Sequence, residues 1–116
     1  MMSNGDGARL PRSGSSYLVA TGGWKPSELE GFWTRDLLVD PAASATTMLM
    51  KIDPGAFASR HSHEELEQIY VLEGSFYDEE RVLHAGDYCC RAAGAPHTAG
   101  SKDGAVVLLV YSKPPA

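Results

Sequence analysis

The chain has 116 residues, of which 43% are hydrophobic, and its formal net charge at pH 7 is −5. This length supports one domain with one core, and the acidic balance argues against nucleic acid as a partner. No apolar run is long enough to span a bilayer and no basic anchor is present, so no membrane partner is expected.

Residues 1–16 are rich in glycine and serine and lack the apolar core of a signal peptide. We predict that residues 1–16 form a flexible leader and that residues 17–116 form the single folded domain. Cys89 and Cys90 are adjacent, so on a strand their side chains point to opposite faces and a disulfide between them is not expected. Two lone thiols fit a reducing compartment, and we therefore expect a cytoplasmic protein.

Past the leader, glycine, proline and aspartate recur at short intervals and separate segments rich in β-branched, aromatic and Met or Leu residues. These segments predict strands near 32–40, 46–53, 58–63, 67–76, 80–85, 87–92, 97–99 and 105–112. Evenly spaced short strands without a long helical period favour an all-β barrel or sandwich.

The alternation of side chains predicts which face of two strands is internal. Met48, Met50 and Ile52 share one face of the second strand, while Lys51 and Asp53 share the other, so the first face should line the barrel. The last strand is apolar on both faces, which fits either a central strand or one covered by a second subunit. We expect a homodimer.

A cluster of metal-ligating residue types follows Gly55. His61 and His63 stand two apart, so both imidazoles project from one face of a strand, and Glu67 returns a carboxylate to that face. Gly55 and Gly74 bracket these residues as expected turn positions. Imidazole nitrogens with one carboxylate oxygen form the ligand set of Zn, Fe, Mn, Ni or Cu sites.

This stretch resembles the first cupin motif, G-x5-H-x-H-x3-E-x6-G, at all five fixed positions. The second cupin motif is met at Gly86, Gly94 and His97, but the chain has Ala92 where that family usually has proline and Ser101 where it usually has asparagine. Among cupins, the sequence looks most like the cupin domain of ChrR-type anti-sigma factors and like small dioxygenases that cleave acetylacetone-type diketones.

The resemblance implies a double-stranded β-helix barrel, usually dimeric, with one divalent transition metal. By that resemblance the metal ligands are His61, His63, Glu67 and His97. Residues expected in the pocket wall are Met48, Met50, Phe57, Tyr70 and Tyr77. The metal, which can be Fe, Mn, Ni or Zn, is not fixed by the sequence.

Three functions fit these features. The first is a metal-dependent dioxygenase acting on a small, anionic, bidentate oxygenated compound, because a six-coordinate metal with four protein ligands keeps two open positions. The second is a sensory or regulatory cupin of the ChrR type. The third is a binding module that uses the metal as a template for its ligand.

Overall fold

The computed structural model describes residues 8–19 and 23–115, with side chains described from Leu10 onward. The described residues contain one short helix, of the 3-10 type, at Pro41–Ala43. The strands in chain order are β1 Ala8–Arg9, β2 Lys25–Pro26, β3 Phe32–Asp40, β4 Ala45–Ile52, β5 Phe57–His61, β6 Leu66–Tyr77, β7 Val82–His84, β8 Tyr88–Arg91, β9 His97–Gly100 and β10 Ala105–Ser112. The predicted all-β domain is confirmed.

All eight predicted strands form, and each end lies within two residues of its predicted position. The sequence patterns did not indicate β1 and β2, which pair with β3. A strand of two residues shows no alternation by which it can be recognised. Residues 1–7 of the predicted leader lie outside the described residues, but Ala8–Arg9 of that leader pair in parallel with Leu38 and Val39. Part of the leader therefore extends the sheet edge.

Two sheets form the walls of the barrel, and the long strand β6 belongs to both. Most of β6 pairs with β10 and β8, whereas its last residues pair with β7 and β9. Gly74 lies where β6 passes from the first set of partners to the second, with a φ of 75°. Gly74 is expected at a turn position within the predicted strand 67–76, and its positive φ redirects β6 without ending it.

The core lies between the two sheets. Its larger buried side chains are Phe32, Ile52, Ile69, Val71, Phe76, Val107 and Leu109. In β4, Met48 and Met50 pack against this core beside Ile52, which confirms the inward face predicted from alternation. Strand β10 is central, between β4 and β6, and its outward side chains remain half-exposed. Its central position accounts for one apolar face, and the outer face is a separate feature.

Candidate metal centre

Three histidines meet where β5 and β9 pair. His61 ends β5 and His97 begins β9, and the two stand opposite each other in register. Ala58 and His61 are three residues apart, so on a regular strand their side chains would point to opposite faces. A register shift between them allows both Ala58 and His61 to face the interior. His63 follows in the loop that leads into β6. The first predicted histidine pair and the histidine of the second motif are thus brought together.

The three imidazole rings are close neighbours. Ring centroids lie 4.4 Å apart for His61 and His97, 5.0 Å for His61 and His63, and 5.4 Å for His63 and His97. One ring nitrogen from each residue lies within 4.8 Å of those of the other two. Nitrogen donors at this spacing can surround a single metal ion.

Backbone carbonyl groups fix which nitrogen of two rings faces inward. Nδ1 of His61 lies 2.7 Å from the carbonyl oxygen of Ser59, and Nδ1 of His97 lies 3.0 Å from that of Thr98. Since a carbonyl only accepts, each Nδ1 carries a proton and donates it, and in the neutral form of the ring Nε2 then has a free lone pair. This is the arrangement by which histidine ligands are commonly oriented toward a metal.

Nε2 of His97 is the one buried side-chain nitrogen or oxygen among the described residues that lacks a hydrogen-bond partner. His97 is 2% exposed, and burial lowers the pKa of its imidazole against the opposing effects of the Thr98 carbonyl and Glu67. The ring is therefore neutral at pH 7 and presents a lone pair to the interior. An unsatisfied buried acceptor is costly unless a partner binds it.

Glu67, the second residue of β6, is 3% exposed and lies beside the histidines. Its Oε2 is 3.4 Å from Nε2 of His63, and its Oε1 is 3.7 Å from Nε2 of His97. The structure thus places all four predicted ligands in one cluster. The three imidazoles converge more closely than the carboxylate does, since only their nitrogens form the group within 4.8 Å.

Two further side chains hold the Glu67 carboxylate from behind. The Tyr111 hydroxyl donates to Oε2 at 2.7 Å, and Nε of Arg91 donates to Oε1 at 3.3 Å. Burial, followed by the neighbouring Glu67 charge, raises the pKa of Tyr111 far above its usual value, so the phenol keeps its proton and remains a donor. Each carboxylate oxygen has more than one lone pair and can still face a cation.

Arg91 also donates through Nη2 to Oδ2 of Asp78 at 3.2 Å. Burial acts to raise the pKa of Asp78, but hydrogen bonds from two backbone N–H groups and from Arg91 outweigh it and lower that pKa. Asp78 is therefore ionised at neutral pH, and the guanidinium is held between two carboxylates. This chain of contacts fixes the orientation of Glu67 relative to the histidines.

Sequence reasoning missed both Arg91 and Tyr111. Tyr111 shares the parity of Val107 and Leu109, so the alternation of β10 could have placed it on the inner face. Arg91 ends β8 opposite Glu67 in register, and no local pattern marks it, because the pairing of β8 with β6 is set by the tertiary fold.

A cavity of about 130 Å³ adjoins the histidines. Its apolar wall consists of Leu29, Phe32, Met50, Ala58, Ile69, Phe76, Ala99, Val107 and Leu109. Its polar groups are the four predicted ligands and Tyr111. The site is therefore a small apolar chamber with every polar group at the metal centre.

Of the five residues predicted for the pocket wall, Met50 lines this cavity and the other four do not. Met48 packs against the core without lining the cavity. Phe57 and Tyr70 are 54% and 42% exposed because they alternate with the buried Ala58, Ile69 and Val71. Tyr77 follows the buried Phe76 and stacks on Phe57 instead, with ring centroids 6.5 Å apart.

The donor set fits a divalent transition metal. Two imidazoles present Nε2 because each Nδ1 faces a backbone carbonyl, a third imidazole lies beside them, and Glu67 adds one carboxylate. Nitrogen-rich sites of this kind suit Fe, Mn, Ni, Zn or Cu rather than Ca or Mg.

In the described part of the chain, no helix is both long and apolar enough to cross a membrane.

Comparison with solved structures places the fold. An RmlC-like cupin from Shewanella frigidimarina NCIMB 400 superposes with a TM-score of 0.74 at 21% identity, covering 86% of this chain and 91% of the other. An RmlC-like cupin protein from Ralstonia eutropha JMP134 gives 0.70 at 23% identity, covering 78% of this chain but only 62% of its own. The double-stranded β-helix predicted from the motifs is thereby confirmed.

Another similar structure is the Rhodobacter sphaeroides SigE in complex with the anti-sigma ChrR, with a TM-score of 0.67 at 25% identity. That match covers 77% of this chain and 49% of the other, so this chain spans about half of its relative. KdgF from Halomonas sp. gives a TM-score of 0.68 at 25% identity, covering 85% and 95% of the two chains. No match is found among curated proteins.

The sequence profile described as the ChrR cupin-like domain matches residues 16–116, which is most of the chain. The match includes both histidine motifs and all four residues of the candidate metal site. It agrees with the resemblance drawn from the two motifs, including the likeness to ChrR-type cupin domains. The chain belongs to the family of ChrR cupin-like domains.

Proposed function

We propose that His61, His63, Glu67 and His97 hold one divalent transition metal, and that the protein is a metal-dependent enzyme of the dioxygenase type. Its substrate is a compact oxygenated compound that chelates the metal through two oxygens. The observation that carries the proposal is Nε2 of His97, a buried acceptor without a partner that faces two other imidazoles and a cavity.

When bound, a metal with three neutral imidazoles and one carboxylate around it supplies open coordination positions and redox chemistry toward a chelating compound. The chain's own residues provide the rest. Tyr111 and Arg91 hold Glu67 in place, and nine apolar side chains line the rest of the cavity. Fe, Mn or Ni fits this activity better than Zn, which four ligands saturate.

Metal analysis and oxygen uptake test the proposal together. Protein purified without added metal or chelator should contain close to one transition metal ion per chain. After loading with Fe²⁺, Mn²⁺ or Ni²⁺, it should consume about one O₂ per molecule of a cleaved diketone or hydroxyketone. Less than half an equivalent of metal after reconstitution would remove the basis of the proposal, and metal without oxygen uptake would remove the dioxygenase.

A regulatory role is the second candidate, supported by the family match and by the likeness to a complex of an anti-sigma protein with SigE. In that case the metal-loaded protein binds the same kind of compound but returns it unchanged. Binding seen by calorimetry, with no product in the recovered ligand, would favour regulation over catalysis.

We also propose that the protein is a homodimer in the cytoplasm. Both cysteines are free thiols, which fits a reducing compartment. The outer face of the larger sheet carries exposed or half-exposed apolar side chains on neighbouring strands, which a second copy can cover.

A further inference from the structure

We infer that the compound bound at this site has its polar groups at one end only, and that the remainder is uncharged, apolar and short. This inference rests on the proposed metal-chelating function and narrows its substrate class. It excludes compounds with a second charged group, such as dicarboxylates, and disfavours polyhydroxylated compounds such as sugars.

The first observation is the one-sided distribution of polar groups in the cavity. Histidine, glutamate and tyrosine side chains that contact one another make up the polar end. The remaining nine lining residues are apolar and come from β3, β4, β5, β6, β9 and β10 together with the turn that holds Leu29. A ligand that chelates at the polar end must therefore place its other end against hydrocarbon.

The second observation concerns charge. No lysine or arginine is among the described residues that line the cavity. Arg91 is the cation near the site, but its guanidinium is already engaged by Glu67 and Asp78 outside the cavity lining. A second carboxylate on the ligand would lose its hydration without gaining a cation or a donor, and such burial is strongly unfavourable.

The third observation is size. The cavity measures about 130 Å³. For comparison, a dry protein cavity of about 150 Å³ binds benzene. The chelating group itself occupies part of this volume. The volume that is left takes a tail of roughly three to four carbon atoms, whereas an aromatic ring in addition to the chelating group exceeds it.

Met50 is the most flexible of the nine apolar side chains that line the cavity. It lies opposite Val107 in register, and both side chains line the cavity. Methionine is flexible and fills irregular gaps, so its replacement changes the size and polarity of the chamber with little effect on the strand. Leu49 precedes it on the same strand and does not line the cavity, so it serves as a matched control.

The test compares ligands that share one chelating head. Pyruvate, 2-oxopentanoate and 2-oxoglutarate all carry a 2-oxo acid, and the last two differ only in ending in methyl or carboxylate. Isothermal titration of Ni²⁺-loaded protein without O₂ should show 2-oxopentanoate binding at least tenfold more tightly than pyruvate, at about fourfold per added methylene. It should also bind at least about 100-fold more tightly than 2-oxoglutarate.

The outcomes separate this inference from the proposed function. If pyruvate binds and 2-oxoglutarate equals or exceeds 2-oxopentanoate, the site chelates as proposed but the inference is overturned. If pyruvate binds and 2-oxopentanoate is no tighter, the apolar chamber does not receive the tail and the inference is overturned as well. If none of the three binds, the chelating function fails and the inference fails with it.

Variants of Met50 test the wall directly. Met50→Lys should raise the affinity for 2-oxoglutarate relative to 2-oxopentanoate by at least tenfold, whereas Leu49→Lys should leave the ratio unchanged. Because a buried lysine can impair folding, Met50→Ala provides a second measurement. It should strengthen binding of 4-phenyl-2-oxobutanoate by at least tenfold, and Leu49→Ala should not. The inference is overturned if Met50→Lys leaves the ratio of the two affinities unchanged and Met50→Ala leaves the affinity for 4-phenyl-2-oxobutanoate unchanged.

Discussion

The histidines of the cluster are oriented by their surroundings in two ways. His97 is 2% exposed and His61 is only partly buried, yet both rings are fixed by a carbonyl group that accepts from Nδ1. The side chain of His63 is 29% exposed, and it is positioned by Glu67 and by the ring of Tyr111, whose centroid is 5.3 Å away. Replacing His63 therefore removes a nitrogen donor with the smallest loss of core packing.

We expect His63→Ala to weaken metal binding by at least about 100-fold, because changing even a residue behind a ligand typically costs 10–100-fold. The barrel should keep its circular dichroism spectrum with and without metal, since its core consists of hydrophobic side chains and includes none of the four proposed ligands. Competition with a chromophoric chelator measures the affinity.

His84→Ala is the matched control for that experiment. His84 is exposed on β7 and lies outside the cluster, so its removal should leave metal affinity unchanged. Equal loss in the two variants, or an unfolded apo protein, would contradict the assignment of His63 as a ligand on a preformed barrel.

At this scale the sequence predicted the cluster well and its surroundings poorly. The spacing in the two family motifs predicts that His61, His63 and His97 share one site, and the structure brings the three together. The expectation that His61 and His63 share one face of a strand does not hold, because β5 ends at His61 and His63 lies in the loop that follows. The aromatic residues expected in the pocket wall lie outside the cavity, because each one is next to a buried residue on its strand and therefore points to the opposite face. Phe57 in addition precedes a register shift that no residue pattern announces.

Among the strands, β6 is the one that pairs in both sheets, so it must change direction along its length. Gly74, at its change of partners, has a φ of 75°, and a Cβ atom there would overlap the carbonyl oxygen of Gly104. Gly55 has a similar φ of 84°, but a Cβ atom there would meet nothing within 4 Å. Glycine is therefore needed at position 55 for its positive φ alone, and at position 74 both for its positive φ and for lack of space.

We expect Gly55→Ala to lower the free energy of unfolding by about 1–2 kcal/mol, the cost of a left-handed backbone for a residue with a Cβ atom. Gly74→Ala should lower it by roughly a further 1–3 kcal/mol, because the close approach of the Gly104 backbone adds steric strain. Urea denaturation followed by circular dichroism measures both. Equal losses in the two variants would show that β6 relaxes freely at this point.

Ser101 shows how the chain tolerates its departure from the second motif. It is fully buried, its hydroxyl donates to the carbonyl of Ser75 at 2.6 Å, and it accepts from the N–H of Gly104 at 2.8 Å. A short polar side chain at this position thus ties the turn before β10 to the bend in β6. The role was invisible in the sequence because both partners are backbone groups contributed by distant segments.

The strand boundaries were predictable because turn-forming residues punctuate the chain at nearly every reversal. The two-residue strands β1 and β2 were not, since they exist only through pairing with β3. Likewise, the apolar faces of β10 fitted either a central strand or one covered by a second subunit, and its position between β4 and β6 is set by packing of the whole barrel. Local chemistry specifies elements, and long-range pairing specifies their order.

For the molecule as a whole, the outer face of the larger sheet carries apolar side chains that the rest of the barrel does not cover. Leu49, Leu108, Tyr70 and Tyr88 are paired in succession across β4, β10, β6 and β8. Tyr70 and Tyr88 are 42% and 53% exposed, and Leu72 on the same strand as Tyr70 is 42% exposed. A contiguous apolar row of this kind is typical of a protein interface.

We expect the protein to form a dimer through this row, with a mass by light scattering near twice the 12.4 kDa of one chain at micromolar concentration. Leu108→Glu places a charge at the centre of the row and should give a monomer. It should retain its metal, because Leu108 does not line the metal-side cavity. Val82→Glu is the control. Val82 is also an exposed apolar residue, at 53%, but it lies on β7 outside the row, so its replacement should leave the dimer intact. A wild-type mass near that of one chain would contradict the dimer, and a dimer that survives Leu108→Glu would place the interface on another face.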